Sequence, residues 1–277
     1  MKGFWGRAAL LAFAGLFTLA CDSEPVQEST SEAYALRFDA SQSDSTAIRI
    51  AEQAMQALGG PEAFATINYF SFRYVVQSDT GKIVDWRHDW DRAAHRYRLE
   101  GSLGNDHLLA YFNLNSQQDG KVFVNGKPAG VDETHSLLGM AYTRFINDTY
   151  WLFMPFKLKD PGTKLEYQGV RESEGATYDV LKLSFIERVG LTPDNVYHIF
   201  VDSGSHLIKR WEYFSTSGAA PIAAQWNNWQ SFGNIKLATE RVLAGGNRKI
   251  VFTDIIAAAQ VDSSVFASPA QISAGSH

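Results

Sequence analysis

The sequence predicts an α+β domain dominated by antiparallel β-strands, and three observations lead to this fold class. From about residue 67 onward, apolar and aromatic side chains recur with the two-residue period of a strand. Turn signals such as Asn125-Gly126 and Gly245-Gly246-Asn247 separate many of these runs, which favours an antiparallel meander over β-α-β units. Only two longer segments show the helical period. We therefore expect a single domain over residues 46–277.

The first helix is predicted over residues 46–58. Its apolar residues recur at the spacing that places them on one face, namely Ile48, Ala51, Met55 and Leu58. Gly59-Gly60-Pro61 follows and predicts a firm end, because glycine is favoured after the last helical turn and proline cannot continue it. A further short helical turn is predicted over residues 61–66.

The strands that follow are defined by alternation. In the first of them, Phe70, Phe72 and Tyr74 share one face, and Arg73 lies on the opposite face. The predicted strands cover residues 68–76, 83–90, 94–100, 107–114, 121–124, 163–170, 177–186, 195–202, 206–214, 222–231, 234–243 and 248–256.

A second helix interrupts the strands, with Asp132 as its predicted N-cap and Pro155 at its end. Its apolar face consists of Leu138, Ala141, Tyr142, Phe145, Ile146 and Thr149. The helix runs into residues 150–156, which we call the 150–156 cluster and which form the most hydrophobic stretch after the N-terminal segment. Two interpretations stay open: the cluster packs as core beneath the helix, or it covers a cavity as a lid.

Several strands are apolar on both faces, including those at 107–114 and 195–202. A sheet with one face in water shows a clean alternation of apolar and polar residues instead. Few helical segments are present to cover two faces, so part of this apolar surface is expected to line a hollow.

The charge balance disfavours a nucleic-acid-binding protein. Lys and Arg total 25 against 30 Asp and Glu, so the formal net charge is −5. Nucleic-acid binding draws on a basic surface that displaces counterions from phosphates. The single cysteine excludes a disulfide framework within the chain and a cysteine-rich zinc site.

That cysteine stands at the end of a predicted signal peptide, residues 1–20. Lys2 and Arg7 precede an apolar run that is too short to span a bilayer and has the length of a secretory signal core. Residues 17–21 (FTLAC) resemble a bacterial lipobox, which implies that Cys21 is lipidated; an ordinary signal peptide is the alternative. Residues 21–45 are polar and predict a flexible tether after the anchor. We therefore expect a periplasm-facing lipoprotein of the cell envelope, held at the outer or the inner membrane.

A lipidated cysteine, a polar tether, an opening helix and a long meander broken by one helix together resemble the LolA/LolB-like lipoprotein-carrier superfamily. Residues 58–60 (LGG), 150–158 (YWLFMPFKL) and 199–213 contribute to the resemblance. The resemblance implies a curved antiparallel half-barrel whose helices close the concave side over a hydrophobic cavity. It also implies that a lipid or the acyl chains of a lipoprotein bind there, without a cofactor and without catalysis.

The candidate ligand-binding residues are aromatic side chains at strand spacing or in the 150–156 cluster, together with one arginine that could hold a lipid phosphate or carboxylate. They are Phe70, Phe72, Tyr74, Arg73, Trp86, Trp90, Phe112, Trp151, Phe153, Phe156, Phe200 and Trp211. Core packing is the other interpretation of the aromatic residues, and a solvated outer face is the other interpretation of the arginine. Trp226 and Trp229 are expected on opposite faces of their strand, because they are three positions apart.

Two other functions remain possible. An interaction module would have a filled core and would bind an envelope protein on its outer sheet face. A cavity hydrolase or metal protein would use histidines and aspartates on neighbouring strands, namely His88, Asp89, His95, Asp106 and His107, if these converge. No GxSxG, HExxH, GxxxxGK[ST] or GxGxxG motif occurs, so we predict neither a catalytic residue nor a metal or cofactor.

Overall fold

The structure, a computed structural model, describes residues 37–173, 175–186, 192–216 and 218–267. The predicted signal peptide and Cys21 lie outside the described residues, so their prediction stays untested.

All thirteen strands of the described residues belong to one open antiparallel sheet, in the order β6-β5-β4-β3-β2-β1-β13-β12-β11-β10-β9-β8-β7. The predicted β-dominated antiparallel fold is confirmed, and each predicted strand has its counterpart. The short β6 was not predicted. The strands are β1 Tyr69–Ser78, β2 Gly81–Asp91, β3 Arg96–Leu103, β4 Asp106–Asn113, β5 Ser116–Val124, β6 Lys127–Pro128, β7 Thr163–Ser173, β8 Ala176–Phe185, β9 Val196–Asp202, β10 Ile208–Phe214, β11 Ile222–Phe232, β12 Ile235–Leu243 and β13 Arg248–Ala258.

In the described residues, three α-helices accompany the sheet: α1 Ser45–Ala57, α2 Gly60–Ala65 and α3 Val131–Phe153. The predicted N-cap of α3 is wrong, because Gly130 occupies that position and Asp132 lies inside the first turn. There its carboxylate interacts favourably with the positive end of the helix dipole. Within the part of the chain that is described, none of the helices combines the length and apolar character needed to cross a bilayer.

The sheet curves around α3. Leu138 packs near Gly120 of β5, and the ring centroids of Tyr150 and Tyr197 of β9 are 5.4 Å apart. Leu138 and Tyr150 are about 18 Å apart along the helix. Strands β5 and β9 are nine steps apart in the sheet order, about 43 Å if the sheet were flat. A sheet that reaches both ends of so short a helical segment must wrap around it.

The face of the sheet that α3 covers, here called the inner face, carries the hydrophobic core. Phe70, Phe72 and Tyr97 are fully buried there. Asn228 of β11 has a φ of +55°, in the left-handed region, and β11 pairs with β12 in the same register on both sides of it. A left-handed residue inside a strand interrupts the regular alternation of side chains between the two faces. Trp226 and Trp229 therefore stack on the same face at 6.3 Å, and their predicted placement on opposite faces is wrong.

The carboxyl end of α3 is fixed by Arg241 of β12, whose side chain is fully buried. Its Nη2 donates to the Trp151 carbonyl at 2.7 Å, and its Nη1 donates to the Ala238 carbonyl at 2.9 Å. Burial lowers the pKa of the guanidinium well below its ordinary value. A cation at this end satisfies a carbonyl that has no partner within the helix and offsets the negative end of the helix dipole.

The end of the predicted tether is attached to the domain. The Ser43 hydroxyl accepts from the Leu165 backbone N–H of edge strand β7 at 2.9 Å. The Asp44 backbone N–H donates to the Leu165 carbonyl at 2.8 Å. Because these bonds cover part of the β7 edge, they reduce the backbone that is open to pairing with another chain.

We expect Gly59→Ala to lower the free energy of unfolding by more than about 2 kcal/mol. Gly59 has a φ of +107°, and a Cβ there would lie 2.1 Å from the Asn234 carbonyl oxygen. Gly139→Ala is the matched control, since Gly139 lies on the exposed side of α3 with open space around it. That change should stabilise the protein by about 0.5–1 kcal/mol. Urea unfolding measures both, and equal midpoints for the two variants would contradict the expectation.

Replacing Arg241 by Met should destabilise the protein by about 2–4 kcal/mol, because the Trp151 carbonyl loses a charged donor in a buried place. Arg49→Met is the control: Arg49 is exposed on α1 and donates to Gln53, so the change should stay within about 0.5 kcal/mol. Chemical denaturation of both variants tests this, and an Arg241→Met protein as stable as the control would show that α3 does not depend on the arginine.

Candidate functional site

The aromatic residues predicted to line a hollow lie mostly on the inner face, where they pack against one another. Phe70 and Phe153 have ring centroids 4.5 Å apart, and Trp151 and Trp211 are 4.3 Å apart. The most buried members are at most 6% exposed, namely Phe70, Phe72, Tyr74, Trp86, Phe112, Phe153, Phe156 and Trp211. The inner face is thus filled by its own side chains at these positions.

The 150–156 cluster belongs to this packed interior. Leu152, Phe153 and Met154 are at most 1% exposed. Trp151 is half-buried and packs against the buried residues of both flanking core clusters. The burial of these side chains favours the interpretation of the cluster as core over its interpretation as a lid.

Two of the predicted ligand-binding residues lie on the other face of the sheet, here called the outer face. Arg73 forms an ion pair with Asp85 of β2, with Nη2 and Oδ1 2.6 Å apart. Phe200 lies beneath the guanidinium groups of Arg171 and Arg210, whose carbon atoms are 5.7 Å and 5.4 Å from its ring centroid. The structure therefore does not bring Arg73 or Phe200 together with the inner aromatic residues.

The histidines and aspartates on the neighbouring strands do not form a common site either. His88 points to the inner face, where its Nδ1 lies 2.8 Å from the Tyr97 hydroxyl and its Nε2 lies 3.2 Å from Oδ2 of Asp148 in α3. Asp89 follows it and therefore points to the outer face. His107 pairs with Glu100. Within the described ranges, no group of three or more His, Cys, Asp or Glu residues is arranged to hold a metal ion.

An open cleft lies where the interior reaches the surface, between the end of α2, the turn from β2 to β3 and the middle of α3. We call it the α3 cleft. Its volume of about 370 Å³ falls at the lower end of the range for small-molecule sites. It is lined by Ala65, Asn68, Trp90, Arg92, Ala93, His95, Leu114, Tyr142 and Phe145. A second open cleft of about 300 Å³ lies beside Phe266.

The α3 cleft continues into the aromatic interior. The Trp90 ring centroid is 5.5 Å from that of Phe145 and 6.0 Å from that of Phe153. Phe145 also packs against Tyr97 at 4.8 Å. Trp90 is the one predicted ligand-binding residue that lines this cleft, so the same side chain belongs to its wall and to the core beneath it.

Arg92 is the cationic residue that sequence reasoning missed. It follows β2 directly and continues the alternation of Trp86, His88 and Trp90, which was the available signal. Its Nη1 donates to the carbonyls of Phe64 and Ile67 at 2.8 Å and 2.7 Å. Burial lowers the pKa of its guanidinium. Tyr142 and Phe145 appeared in the sequence only as the apolar face of α3, because the spacing of a helix does not show which residues border an opening.

The outer face opposite His88 holds a buried carboxylate. Asp89 accepts from the Tyr69 hydroxyl at 2.7 Å and from Nη1 of Arg98 at 2.7 Å, and it also accepts from Arg87. Burial by itself raises the pKa of Asp89, but the hydrogen bonds from Arg87 and Tyr69 outweigh it and hold the pKa below its ordinary value. Burial and the bond to Asp89 raise the pKa of Tyr69 to about 12. This arrangement is that of a structural ion cluster.

We expect Asp89→Asn to destabilise the protein by about 3 kcal/mol near neutral pH, because the buried Tyr69 hydroxyl and the part-buried guanidinium groups of Arg98 and Arg87 lose a charged acceptor. Since the pKa of Asp89 is lower in the folded state, its contribution is present above its unfolded pKa and is lost as pH falls through the folded pKa. Urea midpoints between pH 7 and pH 3 should therefore fall less steeply for the variant than for the natural protein.

The matched control is Asp85→Asn on the same strand. Asp85 is partly exposed and pairs with Arg73 and Lys82, so the cost should stay below about 1 kcal/mol. Equal losses at Asp85 and Asp89 would contradict the role assigned to the buried carboxylate.

No family model and no curated protein matches the sequence. Solved structures that are similar include a LolA superfamily protein from Nitrosomonas europaea, at 11% identity over 80% of this chain and 97% of that chain, with a TM-score of 0.47. A DUF1329 family protein from Desulfovibrio piger matches at 11% identity over 81% and 98%, with a TM-score of 0.43. Lipoprotein LppX of Mycobacterium tuberculosis matches at 9% identity over 79% and 100%, with a TM-score of 0.30. No family, ligand or partner follows from these similarities.

Proposed function

We propose that this protein is a non-catalytic lipoprotein of the cell envelope that binds a hydrophobic ligand, such as a lipid or an acyl chain, in the α3 cleft. The observation that carries the proposal is the continuity of the cleft with the aromatic interior through Trp90 and Phe145. The proposed anchor is a lipidated Cys21, from which the polar segment leads to the domain.

The driving force would be the removal of apolar surface from water. Each buried methylene contributes about 0.8 kcal/mol, and a micromolar dissociation constant corresponds to about 8 kcal/mol. A tail with about ten buried methylenes would therefore supply the free energy of micromolar binding. The cost of association must still be subtracted from it, so the affinity would be weaker. Because the inner face is packed, the proposal places the tail in the cleft and against its aromatic floor, and not in an enclosed hollow.

An interaction module with a filled core is the second candidate, and the burial of the inner aromatic residues favours it. Such a protein would use its outer sheet face to bind an envelope protein. The two candidates differ in one measurable respect, because only the first requires apolar molecules to enter the α3 cleft.

The neutral dye N-phenyl-1-naphthylamine, which fluoresces in apolar surroundings, tests the first candidate. We expect fluorescence to rise with the natural protein and its affinity to fall at least fivefold in Ala93→Trp, which fills the cleft from an exposed position. Ala244→Trp places the same bulk at an exposed position away from the cleft and should bind the dye like the natural protein. Native mass spectrometry of protein isolated from the envelope should also detect a co-purifying lipid.

Dye binding that is absent in the natural protein, or that is equal in Ala93→Trp and the natural protein, would contradict ligand binding in this cleft. A protein free of lipid that captures an envelope partner would then support the interaction module.

A further inference from the structure

We propose that Arg92 gives the α3 cleft a binding site for an anionic head group, so that the ligand is an amphiphile with a phosphate or carboxylate at one end. This inference rests on the proposed function, because it names the class of ligand for the same cleft. It is argued from the hydrogen bonds of Arg92, from the charges around the cleft and from the chemistry of its walls.

The guanidinium of Arg92 is held in place by the protein. Its Nη1 donates to two carbonyls, those of Phe64 and Ile67, and its backbone N–H donates to the Asn68 carbonyl at 2.7 Å. The guanidinium carbon lies 4.6 Å from the ring centroid of Phe64 and 5.6 Å from that of Trp90. Little side-chain freedom is left to be lost when a ligand binds, which favours affinity.

These contacts occupy only one side of the guanidinium. An arginine side chain has five N–H donors in a planar fork. Within the described residues, Nε and Nη2 of Arg92 make no hydrogen bond, and neither atom is among the buried polar atoms without a partner. Nε and Nη2 form an edge that can donate two parallel hydrogen bonds to a carboxylate or a phosphate.

The charge of Arg92 has no counter-ion in the part of the protein that is described. No carboxylate oxygen there lies within 4.0 Å of its nitrogens. The adjacent Asp91 pairs with Arg96 at 2.6 Å instead. Among the described residues that line the α3 cleft none is acidic, and the other ionisable side chains there are those of His95 and Tyr142. In a chain with a net charge of −5, an anion at this place meets attraction without a neighbouring carboxylate to repel it.

The same cleft supplies apolar walls for a tail. Trp90, Leu114 and Phe145 line it together with Arg92. The cation thus stands beside an apolar opening, and an amphiphile satisfies both parts at once. A small anion would use only the arginine, and a neutral hydrophobic molecule would use only the walls.

A purely structural role for Arg92 predicts a different outcome. The Phe64 carbonyl lies in the last turn of α2, so Nη1 stabilises a helix end whatever the ligand. Under that role, replacing Arg92 would lower the stability of the fold and would change the affinity for every ligand to the same extent. A head-group site makes it affect the preference between anionic and neutral ligands of the same chain length.

The test compares dodecyl phosphate, dodecanoate and dodecanol, each competing with N-phenyl-1-naphthylamine on the purified protein. We expect at least one of the two anionic compounds to bind about tenfold more tightly than dodecanol. Arg92→Gln should reduce this ratio to near one, and Arg92→Lys should keep most of it. Arg73→Gln removes a cation from the outer face and should leave the ratio unchanged.

A second variant guards against misfolding of Arg92→Gln. Ala93→Glu adds a negative charge to the wall of the cleft and leaves the hydrogen bonds of Arg92 in place. It should lower the affinity for the anionic compounds at least fivefold relative to that for dodecanol. Thermal unfolding by circular dichroism identifies any variant that has lost its fold.

Three results would overturn the inference. Equal affinity for all three compounds would refute the head-group site and leave the proposed function intact, whereas no binding of any compound would refute both. An anionic preference that survives in folded Ala93→Glu and folded Arg92→Gln would place the anion elsewhere. Inorganic phosphate that competes as strongly as dodecyl phosphate would indicate a site for a free anion and would refute the amphiphile.

Discussion

The structure depends on covering one face of a thirteen-stranded sheet with few helices. An aromatic face exposed to water is unfavourable, and among the described helices it is mainly α3, with α1 beside it, that covers several strands. The sheet meets this constraint by wrapping around the helix, so strands far apart in the sheet order contact the same few turns. The buried contact between His88 and Asp148 and the bond from Arg241 to Trp151 then fix how the helix lies.

This solution limits where a ligand can bind. The side chains that exclude water from the inner face also fill it. The space that remains for a ligand lies where α3 and the ends of the strands separate. Three arginines show the consequence for charge. Arg73 is neutralised by Asp85. Both Nη atoms of Arg241 donate to backbone carbonyls around the end of α3. Arg92 keeps a free edge beside an apolar opening, which distinguishes it from the other two.

Much of the fold was predictable because strand and helix periods are local properties. The strand limits and the end of α3 near Pro155 agree with the structure to within a few residues. The errors have local causes that spacing does not reveal. Gly130 is the N-cap of α3 in place of Asp132, and the left-handed backbone at Asn228 brings Trp229 to the same face as Trp226. A left-handed backbone conformation at one residue does not show in the apolar pattern of a strand, so counting in twos fails beyond it.

The sequence by itself determined which residues alternate, and therefore which aromatic side chains share the inner face. It also carried the predicted lipidation signal at Cys21. Only the tertiary structure decided that these aromatic residues pack against one another and that Phe200 and Arg73 lie apart from them. The structure alone also placed Arg92 beside Trp90 and Phe145, where none of the described carboxylates pairs with it. Periodicity assigns a side chain to a face, whereas filling, openings and ion pairing depend on which distant segments meet across that face.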